Sequence, residues 1–150
     1  MLTRRRLRVN EIRFSRILRA ARWLPAILWM SFLFYLSHQA APLERVAADV
    51  DPFLAHVAVY SILAFLLHVA LAGYNSAAPR WVLASIAFAL TVLYGVSDEI
   101  HQAYVPGRIA SELDLAADAV GAVIGVGLAS LAASRIYARL KAPKFSGEHP

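Results

Sequence analysis

Residues 94–125 read YGVSDEIHQAYVPGRIASELDLAADAVGAVIG, and they place Asp98, Glu99, Arg108, Asp114 and Asp118 against long apolar runs on either side. A charge at the centre of a membrane helix is disfavoured by about 2.5–3.5 kcal/mol even on insertion-based scales, so clustered charges at the ends of such runs call for a reason. Working outward, the chain is 59% hydrophobic and 17% charged, with a mean hydropathy of +0.55. That is too apolar for the surface of a soluble domain of this size, and the expectation is an all-α integral membrane protein. There is no cysteine, which excludes disulfides, thiolate metal sites and a cysteine nucleophile. No internal repeat or glycine-serine linker divides the chain.

Apolar runs near Trp23 to Ser37, Pro52 to Ala72, Trp81 to Ser97 and Leu115 to Ala133 each approach the ~20 helical residues needed to cross a hydrocarbon core. The first and third are short, and the third is able to continue as helix through Asp98 to Tyr104. Trp23, Tyr35, Tyr74, Trp81, Tyr104 and Tyr137 lie near the span ends, where aromatic anchors sit. Asp51 followed by Pro52 reads as an N-cap with proline in the first helical position.

Of the 15 Lys and Arg residues, Arg4, Arg5, Arg6, Arg8, Arg13, Arg16, Arg19 and Arg22 precede the first span, and Arg135, Arg139, Lys141 and Lys144 follow the last. The three loops carry one each: Arg45, Arg80 and Arg108. The positive-inside bias puts both termini in the cytoplasm and the first and third loops outside. The chain then divides into a basic tail over 1–22, a four-span domain over 23–133 and a second basic tail over 134–150. From Arg13 to Arg22, the residues Phe14, Ile17, Leu18 and Ala21 share one helical face opposite four arginines, the pattern of a helix lying in anionic headgroups. Topology signals account for a pI near 10.0 without a nucleic-acid partner. A twin-arginine signal at Thr3-Arg4-Arg5 is rejected because the apolar region starts far from it, and cleavage after the first span is rejected because three spans would remain.

In this topology His56 starts the second span, Asp98 and Glu99 end the third, and Asp114 and Asp118 start the fourth, all on the outer side. His56 and Tyr60 are i,i+4 neighbours; Tyr94, Ser97, Asp98 and His101 fall at i, i+3, i+4 and i+7; Asp114 and Asp118 stack one turn apart with Gly121 and Gly125 close to the same stripe. Gly121-x-x-x-Gly125 allows close helix approach. Arg108, in the turn made by Pro106-Gly107, is placed over the cluster as an internal counter-ion or an anion receptor.

At these residues the chain resembles the VanZ-like family of bacterial membrane proteins. The family's pattern couples a His-x-x-x-Tyr on one span to a Gly-x-x-Asp-Glu-x-x-Gln ending another, then a Pro-x-Arg turn and an Asp-x-x-x-Asn-x-x-Gly opening the last. Here those positions are His56 and Tyr60; Gly95, Asp98, Glu99 and Gln102; Pro106 and Arg108; and Asp114, Asp118 and Gly121, with Ser37 and Gln39 resembling the serine and glutamine that close the first span. The resemblance runs from about residue 30 to residue 130. It departs at Asp51-Pro52, where the family has Asp-Lys, and at Asp118, where it has asparagine. The resemblance implies a multi-pass protein of the bacterial cytoplasmic membrane, associated in some members with glycopeptide resistance, particularly to teicoplanin.

Several roles are open for these residues. Asp98 and Glu99 form either a functional pair or a helix end ion-paired to Arg108; being adjacent, one is expected to face the bundle and the other water. His56 with Tyr60 is a proton-transfer pair or a histidine bonded to a carboxylate across a helix interface. Asp114 competes as N-cap of the fourth span. His38 and His68 read as interfacial or packing residues. A metal site from His56, His101, Asp98 and Asp118 is geometrically open, but no metal or cofactor is expected, since no dense ligand spacing appears. The first functional expectation is an outward polar pocket that binds or acts on an envelope component, a lipid-linked cell-wall intermediate or a glycopeptide, with His56, Asp98 and Glu99 in the chemistry and Tyr60, Gln102, Arg108, Asp114 and Asp118 in binding. The rivals are a small lipid-directed hydrolase or transferase, for which no nucleophile motif exists, a structural or accessory subunit, and an ion path.

Overall fold

A computed structural model describes residues 17–39, 51–74 and 78–141, and the described residues form helices and short turns without strands. The helices are α1 (Leu24–Ser37), α2 (Pro52–Tyr74), α3 (Arg80–Gln102) and α4 (Glu112–Lys141). Four segments are long and apolar enough to span a membrane: Ile17–Ser37, Pro52–Gly73, Arg80–Gln102 and Glu112–Arg135. Residues 13–16 of the basic amphipathic segment lie outside the described residues, and Ile17 and Leu18 expose their side chains.

Helix ends follow from local chemistry. Asp51 caps α2 through its Oδ1, which accepts hydrogen bonds from the amides of Phe53 at 2.8 Å and Leu54 at 3.3 Å. The third helix continues past the apolar run to Gln102, short of Tyr104, because its last turn keeps its polar side chains on the bundle side. The fourth starts at Glu112, three residues before the apolar run, and passes through the boundary at 133 to reach Lys141.

The second helix is central and packs against all three others, most extensively against α4. That contact depends on glycine. A Cβ at Gly121 would lie 2.6 Å from the Val57 carbonyl oxygen and 3.0 Å from the Ser61 amide, and one at Gly125 would collide with the Ser61 carbonyl. Where lipid tails are as apolar as the helix surface, such close approach supplies the packing that hydrophobicity does not. The hydroxyls of Ser61 and Thr91 donate to the carbonyls one turn back, Val57 and Ala87, so neither is stranded in the bundle.

The first helix is peripheral. It buries only Ala26, Leu33 and Ser37, one stripe at spacings of seven and four. Two hydrogen bonds tie it down: Trp29 Nε1 donates to the Val59 carbonyl at 2.9 Å, and the Tyr94 hydroxyl to the Met30 carbonyl at 2.6 Å. At the end where α2 and α4 begin and α3 finishes, every acidic residue among those described is gathered: Asp51, Asp98, Glu99, Glu112, Asp114 and Asp118.

Candidate functional site

The link between α2 and α4 at this polar end is a histidine held by two acids. His56 Nδ1 lies 2.9 Å from Asp118 Oδ1, and Nε2 lies 3.8 Å from Asp114 Oδ2. With Asp118 as a carboxylate, the short bond puts a proton on Nδ1 and turns Nε2 toward Asp114. Asp118 is fully buried. Its room comes from Gly95 on α3, where a Cβ would sit 2.6 Å from Asp118 Oδ2. The His56 ring lies nearly parallel to that of Tyr60, one turn on, with centroids 6.0 Å apart and 7° between the planes.

Asp98 and Glu99 are both buried, so neither faces water. The last turn of α3 is wedged between α1 and α2 on one side and the start of α4 on the other, which gives each adjacent acid an interior side. Glu99 Oε2 accepts the Ser111 amide at 2.7 Å, and the Ser111 hydroxyl accepts the Asp114 amide at 3.3 Å. The cap of α4 is therefore Ser111, not Asp114, with Glu99 taking from a neighbouring helix the role that a capping box gives to its own third residue. The Ser111-Glu112-Leu113-Asp114 spacing carries that cap signal in the sequence. Freed from capping, Asp114 faces His56.

Between α1, α2 and α3 lies a cavity of about 70 Å³ lined by Leu33, Leu36 and Ser37, by Ala55, His56, Val59 and Tyr60, by Asp98 and Gln102, and by Arg108. The turn that delivers Arg108 has proline in second place and Gly107 at φ 83°, with the Arg108 amide bonded to the Val105 carbonyl at 3.1 Å. Those are the marks of a type II turn, which needs glycine in its third position. Gln102 Nε2 donates to Asp98 Oδ2 at 3.0 Å. Four polar atoms of the lining have no hydrogen-bond partner among the described residues: Ser37 Oγ, Tyr60 Oη, Asp98 Oδ1 and Arg108 Nε. Buried polar groups are paired in the great majority of cases, so four around one small cavity form an unsatisfied set.

The expected site residues thus divide. His56, Tyr60, Asp98, Gln102 and Arg108 share the cavity; Asp118 joins through His56, while Glu99 and Asp114 stand on the α4 side. Arg108 forms no ion pair with either acidic helix end among the described residues, so the counter-ion role has no direct contact behind it. Ser97 is exposed, its hydroxyl donating to the Tyr94 carbonyl at 2.7 Å, and drops out of the inward stripe. His101 faces α1, with its ring 4.6 Å from that of Phe34 and 5.6 Å from that of His38. His68 is buried without a partner for Nδ1. Leu33 and Leu36 carried no sequence signal beyond their apolar run, and Ser37 only its place in the family pattern. Among the described residues, no three His, Asp or Glu side chains are grouped to hold a metal ion.

No curated protein and no solved structure matches the chain. The family model described as VanZ/LLP1 matches residues 22–133, which hold every residue lining the cavity and both sides of the His56–Asp118 bond. The chain belongs to the VanZ/LLP1 family.

Proposed function

We propose that this multi-pass membrane protein resides in the bacterial cytoplasmic membrane with both termini in the cytoplasm, and that its polar cavity binds the head group of an envelope component on the outer side. The observation that carries the reading is the set of four unpartnered polar atoms lining one cavity. A lipid-linked cell-wall intermediate fits the location, and its anionic group fits Arg108, a donor-only side chain with no acid of its own. Asp98 and His56 supply hydrogen bonds and proton handling beside it. Through the family resemblance, such binding connects to glycopeptide tolerance, including tolerance of teicoplanin.

A structural role has its own support, since Glu99 caps α4 and Asp118 ties α4 to α2. It leaves Ser37, Tyr60, Asp98 and Arg108 unexplained. The test is to purify the wild-type protein and Arg108→Ala in detergent, identify co-purifying lipids by mass spectrometry, and measure glycopeptide tolerance in a strain that depends on the protein. Enrichment of an envelope lipid whose head group carries an anionic moiety, lost in the variant together with tolerance, is the expected result. Identical lipid content and tolerance in the two proteins would reject the reading.

A further inference from the structure

The cavity wall holds two formal charges of opposite sign that do not meet. Asp98 is 7% exposed, and its sole hydrogen-bond partner among the described residues is the neutral Gln102. Arg108 lines the same cavity with Nε unpartnered, and the two form no ion pair. A buried carboxylate and a guanidinium with freedom to approach would close into a salt bridge, because each is costly to leave uncompensated. The two come from separate segments of backbone. Asp98 belongs to the last turn of α3, and Arg108 is set by the positive-φ turn at Gly107.

The surroundings decide what bridges such a gap. Four carboxylates, Asp98, Glu99, Asp114 and Asp118, gather at this end against Arg108 and His56. A ligand that is only anionic satisfies Arg108 and is repelled by the acids. One that is only cationic leaves Arg108 uncompensated. A group bearing both charges matches both sides, with Tyr60 Oη and Ser37 Oγ, each able to donate or accept, completing its hydrogen bonds. The cavity of about 70 Å³ suits a small head of this kind, since a single water needs roughly 10–15 Å³ measured in the same way.

Building on the head-group reading above, we infer that the cavity is a receptor for a small zwitterion, with its anionic group at Arg108 and its ammonium at Asp98. The chemistry is that of a phosphoethanolamine head, carried by a lipid or free in solution.

The experiment uses the full chain in detergent and measures binding of phosphatidylethanolamine, phosphatidylglycerol and N-acetyl-phosphatidylethanolamine, the last keeping the phosphate while losing the ammonium. Phosphatidylethanolamine is expected to bind about tenfold tighter than the other two, the worth of one buried charge-assisted hydrogen bond. Asp98→Asn removes the preference and Arg108→Gln weakens all three. Should Asp98→Asn fail to fold, the N-acetyl lipid makes the same comparison on the wild-type protein. Soluble phosphoethanolamine that competes at the lipid's own concentration range identifies a free zwitterion as the ligand, and competition only at far higher concentration identifies the lipid-borne head; the zwitterion stands in either case. Equal binding of the three lipids with full dependence on Arg108 overturns the zwitterion while leaving the anionic head-group reading intact. Binding indifferent to Arg108 overturns both.

Discussion

His56 is the residue on which the polar end turns, because one ring reaches Asp118 and approaches Asp114 across the α2–α4 interface. Removing the ring strands a fully buried carboxylate, so His56→Ala is expected to destabilise the protein by about 3–5 kcal/mol, read as a lowered midpoint of thermal unfolding in detergent. Asp118→Asn keeps an oxygen to accept from Nδ1 and the shape that fits over Gly95, and its loss should be well under half as large. Equal losses would show that charge, not the hydrogen bond, holds the helices. Arg108 and Glu99 provide a second test at this scale. Because they form no ion pair, the double-mutant cycle of Arg108→Gln and Glu99→Gln should be additive within about 0.5 kcal/mol; a larger coupling would reinstate Arg108 as counter-ion. The sequence offered His56 a carboxylate across a helix interface without naming it, since Asp98, Glu99, Asp114 and Asp118 all sit near the same depth, and the structure gives Asp118. The sequence likewise left the partners of Arg108 and Glu99 ambiguous, because an acid beside a helix end reaches an arginine or a cap amide depending on helix rotation, which periodicity does not determine.

At the scale of elements, the glycines of α4 do different work on different faces. Gly121 lies against the α2 backbone, which has no side chain to move aside, whereas a Cβ at Gly127 would meet nothing within 4 Å. Gly121→Leu is therefore expected to cost about 1–3 kcal/mol or more and to lower the yield of folded protein, while Gly127→Leu leaves both unchanged. Similar behaviour of the two variants in thermal unfolding would mean that α2 and α4 do not approach at Gly121. The close-approach pattern at Gly121 and Gly125 was readable from spacing alone. The ends of α3 and α4 were less so, because hydropathy falls at Ser97 and rises at Leu115 while the helices extend beyond both points. Gln102 donates to one carboxylate oxygen of Asp98 one turn back, which lets α3 carry polar side chains inside the bundle, and Ser111 starts α4 on polar residues.

For the whole molecule, charge is segregated between the two ends of the bundle. Arg22 Nη1 donates to the Gly73 carbonyl at 2.6 Å, and Arg80 Nη1 to Ser134 Oγ at 3.3 Å, joining the start of α1 to the end of α2 and the start of α3 to the end of α4. The acids, the cavity and the turn bearing Arg108 lie together at the opposite end. An up-down-up-down bundle whose described basic residues, Arg108 excepted, lie at one end matches the positive-inside bias, which counts the arginines and lysines near the span ends and gives acids little weight. Reporter fusions after residues 20 and 145 are thus expected to read as cytoplasmic and a fusion within the Arg108 turn as external. Single-site labelling of a cysteine placed at exposed Ile109 supplies the same answer without a bulky fusion, and the absence of native cysteines keeps the background low. A cytoplasmic signal at the Arg108 turn by both methods would place the cavity on the inner side. The envelope ligand would then be untenable even if the helix packing were correct in every detail, because the fold fixes which residues meet and the topology alone decides which compartment they meet in.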